Sequence, residues 1–168
     1  MPRLASAAAG LAAVLAIALP AQAQESATAT LNDPEGAALG EAMVTETPHG
    51  LLIELVVSGL SPGEHAFHIH ETGDCSAADF TSAGGHFNPD GHAHGYLDPE
   101  GIHAGDLPNI FADDAGVAHV QTVAAGLTLA DLFDADGSAF VIHAGADDYM
   151  SQPSGAAGGR VACGVIEG

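Results

Sequence analysis

The strongest constraint on this chain is the stretch at residues 64–70, EHAFHIH. Its apolar and imidazole side chains alternate, which predicts a β-strand whose successive side chains lie on opposite faces. His68 and His70 then share one face, whereas Phe67 and Ile69 point into a core. Two imidazoles on one face of a rigid strand form half of a site for copper or zinc.

The segment that follows this strand predicts a long functional loop. Residues 71–109 are rich in Gly, Pro and Asp and show little apolar periodicity. Loops of this length are usually either functional or disordered. This one contains His86, His94, His103 and Asp106, a His/Asp combination that suits zinc. A bound metal is the simplest physical reason for such a loop to be ordered.

The N-terminus has the pattern of a secretory signal peptide. Arg3 precedes an apolar run without Lys or Arg at residues 4–20, and Ala21-Gln22-Ala23 follows as a small-residue cleavage site. The run is short for a membrane anchor, although a retained anchor is the alternative. We therefore predict a signal peptide at 1–23, a single domain at 24–168, and a periplasmic or secreted protein with no membrane attachment after cleavage.

Charge and cysteine content narrow the set of partners. After cleavage Arg160 would be the only Lys or Arg beside 22 acidic residues, a formal charge of −21. Nucleic acids and anionic membranes require basic patches, so we expect neither as a partner.

Cys75 and Cys163 are an even pair in an exported chain, which predicts one disulfide.

Short strand patterns separated by Gly, Pro and Asp turns occupy most of the mature chain. The predicted strands are 27–31, 38–45, 51–58, 64–70, 110–111, 117–123, 139–143 and 160–166, with a helical turn or connector at 127–133. This pattern predicts an all-β sandwich or flattened barrel of about eight strands. Two long loops, 71–109 and 144–159, each begin directly after a strand-borne histidine, which indicates a function for both.

Four motifs occur in order across the mature chain: GEHAFHIHE at 63–71, GHFNP at 85–89, HAGDLPN at 103–109 and GGRVACGVI at 158–166. Together they resemble the copper/zinc superoxide dismutase family, and GDC at 73–75 resembles its exported bacterial members. The resemblance implies an antiparallel Greek-key β-barrel with one copper and one zinc per chain. It also implies dismutation of superoxide to oxygen and hydrogen peroxide by alternating one-electron chemistry, as a protection against extracytoplasmic superoxide.

The resemblance assigns roles to individual residues. The implied copper ligands are His68, His70, His86 and His143, and the implied zinc ligands are His86, His94, His103 and Asp106. His86 would bridge the two metals and act in catalysis. Arg160 would orient the substrate anion, and Asp147 would bond one ligand histidine of each metal. Cys75 and Cys163 match the structural disulfide of the family.

Several alternatives remain open at the sequence level. His92 lies two positions before His94 and could replace it at zinc. His65 is out of register with His68 and His70, so we predict a structural histidine that bonds the backbone. A redox-silent metal carrier and a copper-only enzyme are the competing functions, and the zinc-type residues argue against the latter. The sequence does not distinguish a monomer from a homodimer.

Overall fold

A computed structural model describes residues 25–168 and shows nine strands and one short helix there. They are β1 (Ser26–Asn32), β2 (Ala38–Thr47), β3 (Gly50–Val57), β4 (Gly63–His65), β5 (Phe67–His70), β6 (Ile110–Ala112), β7 (Ala118–Ala125), α1 (Leu129–Leu132), β8 (Ala139–His143) and β9 (Arg160–Val165). The predicted signal peptide at 1–23 lies outside the described residues. Within residues 25–168 no helix has the length and apolar character needed to cross a membrane.

The strands form one curled antiparallel sheet and a small ribbon. The sheet has the order β5-β8-β9-β1-β2-β3-β7, and β4 pairs with β6. Because β4 continues into β5 and β6 leads into β7, the ribbon connects the two edge strands of the sheet. The predicted all-β Greek-key barrel is confirmed. Strand boundaries agree with the predicted ones to within two residues because period-two alternation is visible in the sequence.

The histidine strand is the one element that the sequence does not divide correctly. Ala66 separates β4 from β5, and the two pieces pair with different strands, β6 and β8. At this break the Ala66 N–H donates to the carbonyl of Gly145, and the His143 N–H donates to the carbonyl of Ala66. The predicted single strand therefore becomes two, because the chain changes partner where the second long loop begins.

Strand β5 is buried on both faces. Phe67 and Ile69 lie in the apolar core, where the ring of Phe67 stacks on Phe140 with centroids 5.1 Å apart. His68 and His70 lie on the opposite face and are also buried. The predicted alternation is confirmed, and the strand presents its imidazoles to the space between the barrel and the two loops.

A disulfide joins the first long loop to the last strand. Cys75 and Cys163 are bonded, with their Cα atoms 5.8 Å apart and 88 positions between them in sequence. The predicted pairing is confirmed. Because Cys163 lies inside β9, the bridge fixes the start of the loop against the barrel.

Candidate metal centre

Four imidazoles converge beneath the two long loops, and each keeps one nitrogen without a partner. These atoms are His68 Nδ1, His70 Nε2, His86 Nε2 and His143 Nε2, all buried and without a hydrogen bond. Ligand atoms of the four rings lie within 4.8 Å of one another. We call these residues the four-imidazole set. Buried polar atoms normally have a hydrogen-bond partner. Four buried ring nitrogens without one, all in one place, therefore indicate a site for a cation.

The other nitrogen of each ring has an acceptor that fixes the ring. His70 Nδ1 bonds the carbonyl of Gly84 at 3.0 Å, and His143 Nδ1 bonds the carbonyl of Gly158 at 3.2 Å. His68 Nε2 bonds Asp147 Oδ2 at 2.8 Å. A metal-binding histidine usually donates its second N–H to such an acceptor, which sets both tautomer and orientation. The unpaired nitrogens are therefore aimed by the polypeptide itself.

A second set surrounds the carboxylate of Asp106. Nδ1 of His86, His94 and His103 lies 2.7, 3.0 and 3.2 Å from Asp106 Oδ1. The four side chains are buried and their ligand atoms also lie within 4.8 Å of one another. We call them the mixed set. Three imidazoles and one carboxylate are a donor combination typical of zinc.

His86 belongs to both sets. Its Nδ1 faces Asp106, whereas its Nε2 is one of the unpaired atoms of the four-imidazole set. Its ring centroid lies 3.9 Å from that of His68 and 5.4 Å from that of His103. Only histidine offers two nitrogen donors on opposite sides of one ring, so His86 is the residue that can join two metal ions.

Asp147 links the two sets from behind. Its Oδ2 accepts from His68 Nε2 at 2.8 Å, and its Oδ1 accepts from His94 Nε2 at 3.0 Å. The Tyr149 N–H also donates to Oδ1. Burial alone would raise the pKa of Asp147, but hydrogen bonds from His68 and His94 lower it well below its ordinary value. The carboxylate therefore remains charged and holds one ring of each set.

Three rings of the four-imidazole set have lowered pKa values, whereas the pKa of His94 in the mixed set is raised. Burial lowers the pKa of His68 and His143 to about 4 and that of His70 to about 2. Burial also opposes the charged form of His94, yet hydrogen bonds to Asp106 and Asp147 outweigh it and raise its pKa to about 9. At neutral pH His68, His70 and His143 are thus neutral, the form of imidazole that binds a metal.

Asp106 is an anion under all ordinary conditions. Its burial would raise its pKa, but hydrogen bonds from His86, His94 and the Gly95 N–H lower that pKa far below the usual range. The Gly95 and His103 amides both donate to Oδ2, which leaves Oδ1 for the imidazoles. The mixed set thus carries a fixed negative charge that suits a divalent cation.

An open cavity leads to the four-imidazole set. Its volume is about 430 Å³, and His70, His86, His143, Glu71 and Arg160 are among its lining residues. Arg160 donates from Nη1 to the carbonyl of Phe80 at 2.5 Å and from Nη2 to the carbonyl of Gly84 at 2.6 Å. Burial lowers the pKa of Arg160, but a guanidinium stays protonated in proteins. The cavity thus offers one fixed cation beside the imidazoles.

The two other candidate histidines, His92 and His65, lie in different surroundings. His92 is exposed and lies outside both sets, whereas His94 is fully buried within the mixed set. His65 is buried and bonds backbone carbonyls, with Nδ1 2.7 Å from the oxygen of His143 and Nε2 2.8 Å from that of Ser61. The prediction of a structural role for His65 is confirmed.

Four contributors to the site escaped the sequence reasoning. Asn109 bonds the backbone of Asp147 through both ends of its amide, and the Tyr149 hydroxyl accepts from the Asn109 N–H. The side-chain amide of Gln152 likewise bonds both the N–H and the carbonyl of His94. Gly155 lies against the carboxylate of Asp147. Their signal is weak because each acts through backbone groups, and only Asn109 lay inside a motif.

The donor chemistry fits copper in one set and zinc in the other. A set made only of imidazoles suits copper, and a set of imidazoles with a carboxylate suits zinc. The unpaired nitrogens and the shared His86 are the structural observations that support this fit. A Greek-key barrel with two such sets joined through one imidazole defines a class of dinuclear metalloproteins.

Comparison with known proteins identifies the family within that class. The family model for copper/zinc superoxide dismutase matches residues 38–166. The chain is 52% identical to Superoxide dismutase [Cu-Zn] 2 of Aquifex aeolicus (strain VF5), over 83% of this chain and 85% of that protein. It is 51% identical to Superoxide dismutase [Cu-Zn] of Caulobacter vibrioides (strain ATCC 19089 / CIP 103742 / CB 15), over 84% of this chain and 86% of that protein.

A solved structure agrees with these relatives. A double mutant of a SOD-like protein from Bacillus subtilis superposes with a TM-score of 0.81 and 43% identity, covering 84% of this chain and 97% of that one. The chain belongs to the copper/zinc superoxide dismutase family.

Proposed function

We propose that the protein dismutates superoxide at a copper ion held by the four-imidazole set and joined through His86 to a zinc ion in the mixed set. Two superoxide ions and two protons give one oxygen molecule and one hydrogen peroxide. The observation that supports this most directly is the group of four buried, unpaired imidazole nitrogens, one of them on the ring that also belongs to the mixed set. Family membership points to the same reaction.

The residues of the chain have separate tasks in this reaction. Copper, when bound, supplies a one-electron redox couple that protein side chains lack. Arg160 binds and orients the small anion in the cavity, since its guanidinium fork presents parallel donors. His86 can hold a proton at Nε2, the atom that faces the four-imidazole set. Zinc has no redox chemistry and would hold the first loop and His86 in position.

Metal analysis combined with superoxide consumption tests the proposal. We expect one copper and one zinc per chain and a catalysed decay of superoxide that disappears when copper is chelated. His143→Ala removes a copper-type ligand that is not shared with the mixed set, so it should abolish activity and copper binding while zinc remains. Activity that survives the loss of copper would refute the assignment.

A redox-silent metal carrier is the competing function. One structural relative, from Bacillus subtilis, is described as a SOD-like protein. Stoichiometric binding of both metals without turnover would establish the carrier. The presence of Arg160 beside the imidazoles favours the enzyme, because storage of a metal does not need a cation in the access cavity.

We further propose that residues 1–23 are a signal peptide and that residues 24–168 act as one domain outside the cytoplasm. The disulfide between Cys75 and Cys163 supports this, because such bonds persist in oxidising compartments. The N-terminal sequence of the protein recovered from a fractionated bacterial host tests it. A mature chain that begins at Gln24 is expected, and full-length protein confined to the cytoplasm would contradict the proposal.

A further inference from the structure

The backbone of Gly155 lies directly against the hydrogen bond that joins Asp147 to His94. Its φ is +68°, in the left-handed region that favours glycine. A Cβ atom at this position would lie 1.8 Å from Asp147 Oδ1 and 2.8 Å from His94 Nε2. No side chain fits in that space, so any other residue must displace either the loop or the carboxylate.

The loop around Gly155 is held by several hydrogen bonds and cannot easily retreat. The Gly155 N–H donates to the carbonyl of Ser151 at 2.7 Å, and the Asp148 N–H donates to the carbonyl of Gly155 at 3.0 Å. Gln152 bonds both the N–H and the carbonyl of His94, at 2.9 Å each. A new methyl group would therefore push the Asp147 carboxylate away from its partners.

The displaced carboxylate would affect both sets at once. Asp147 is the acceptor for His68 Nε2 in the four-imidazole set and for His94 Nε2 in the mixed set. Such acceptors fix the tautomer and the orientation of a ligand ring, and their loss typically weakens metal binding or activity about 10- to 100-fold. A change at position 155 would thus reach two metals that it does not contact.

We propose that Gly155 is a positioning residue whose missing side chain allows Asp147 to hold one imidazole of each metal set. The role of Gly155 in metal binding rests on the proposed function of the two sets. Gly155 belongs to neither set, and its backbone approaches the carboxylate of Asp147 most closely, with His94 Nε2 next.

The test compares Gly155→Ala with Gly126→Ala. Gly126 has a φ of +78° and no neighbouring atom within 4 Å of a Cβ, so it controls for backbone strain without a clash. Zinc affinity is measured on copper-free protein by competition with a chromophoric chelator. We expect Gly155→Ala to weaken zinc roughly 10- to 100-fold and Gly126→Ala to change it less than about twofold, with thermal unfolding of both apoproteins as a check on folding.

A double-mutant cycle separates positioning from a general structural effect. Asp147→Ala removes the carboxylate, so adding Gly155→Ala to it should cost less zinc affinity than the same change costs in the wild-type protein, since only the contact with His94 Nε2 remains. An equal loss in both backgrounds would overturn the proposal, as would a Gly155→Ala protein that binds zinc normally.

Apoprotein NMR keeps this test distinct from that of the metal assignment. The Nε2–H protons of His68 and His94 should give downfield signals in the wild-type and Gly126→Ala proteins and lose them in Gly155→Ala. If the wild-type protein bound no zinc, the proposed function would fail while this result would still support positioning of the carboxylate. Unchanged signals in Gly155→Ala would overturn the positioning itself.

Discussion

Arg160 shows how a single residue gains its role from backbone atoms far away in sequence. Its two terminal nitrogens bond the carbonyls of Phe80 and Gly84, so the guanidinium stays beside the imidazoles instead of extending into solvent. The carbonyl of Gly84 also accepts from His70 Nδ1. The guanidinium and one ring of the four-imidazole set are thus oriented by the same peptide group.

Replacing Arg160 by alanine should lower the rate of superoxide consumption and leave both metals bound. Loss of a charge-assisted contact of about 1.5–3 kcal/mol corresponds to a rate roughly 10- to 100-fold lower. Pulse-radiolysis or stopped-flow decay of superoxide measures the effect, with metal content determined on the same samples. Arg160→Lys keeps the charge without the fork and should fall between wild-type and alanine. Loss of copper in Arg160→Ala would show a structural role.

The apoprotein should lose stability on acidification because of three histidines. Unfolded histidine titrates near pH 6.5, whereas burial lowers the pKa of His68 and His143 to about 4 and of His70 to about 2. Below pH 6.5 the unfolded state therefore binds more protons, and each residue costs about 1.4 kcal/mol per pH unit. Urea unfolding between pH 7 and pH 5 measures this trend.

His94 acts in the opposite direction and over a different pH range. Its pKa is raised to about 9 by Asp106 and Asp147 against the effect of burial, so its stabilising contribution is complete below pH 6.5 and is lost as the pH rises towards 9. His94→Gln apoprotein should accordingly show a weaker decline above pH 7 and the same decline below it. For the three buried histidines, an apoprotein equally stable at pH 5 and pH 7 would contradict the lowered pKa values of His68, His70 and His143.

At the level of secondary-structure elements, the strands and the extents of the two long loops could be predicted from sequence, but the contacts within the loops could not. Alternation indicated the position of β1, and a short continuous apolar run indicated that of β8, because a side chain that faces the core must be apolar. The break at Ala66 has no such signal, since it depends on which strand each half meets. Within the loops, nothing in the local sequence distinguishes His94 from His92, and only the burial of His94 within the mixed set separates them. Composition also does not reveal main-chain contacts, such as the hydrogen bonds of Asn109 and Gln152 to backbone groups and the close approach of the Gly155 backbone to Asp147.

The disulfide should stabilise both the barrel and the loop that positions Arg160. Cys75 tethers the segment that includes Phe80 and Gly84, the two acceptors of the guanidinium. Replacing Cys75 and Cys163 together by serine should lower the free energy of unfolding by about 2–5 kcal/mol, as measured by urea denaturation.

The activity of the same double variant should fall more than its metal content, because Arg160 loses its fixed acceptors. Full activity at reduced stability would show that the loop keeps its shape without the bond. Cys75→Ser alone would leave Cys163 as a buried free thiol, so the double variant is the cleaner comparison.

For the molecule as a whole, the strongly negative net charge opposes the long-range electrostatic attraction of an anionic substrate. The sequence has 22 acidic residues and no lysine, and Arg160 is the only Lys or Arg after position 23. The overall field therefore repels superoxide, and the attraction is confined to the cavity that contains the guanidinium.

Added salt should consequently leave the rate unchanged or increase it. The Debye length falls from about 30 Å at 0.01 M to about 10 Å at 0.1 M, which screens the distant carboxylates more than the nearby guanidinium. Superoxide decay measured across this range of ionic strength tests the expectation. A steep, continuous loss of rate as salt rises would mean that local attraction by Arg160 dominates even at long range.

The acceptors behind the ligand rings have a consequence for how the protein acquires its metals. Hydrogen bonds to Asp147, Gly84 and Gly158 already orient three of the copper-type rings, and Asp106 orients His86. The rotational freedom of these rings is thus lost while the chain folds and not when an ion arrives. The barrel can therefore complete its covalent bridge first and mature later, at whatever moment its surroundings provide the ions.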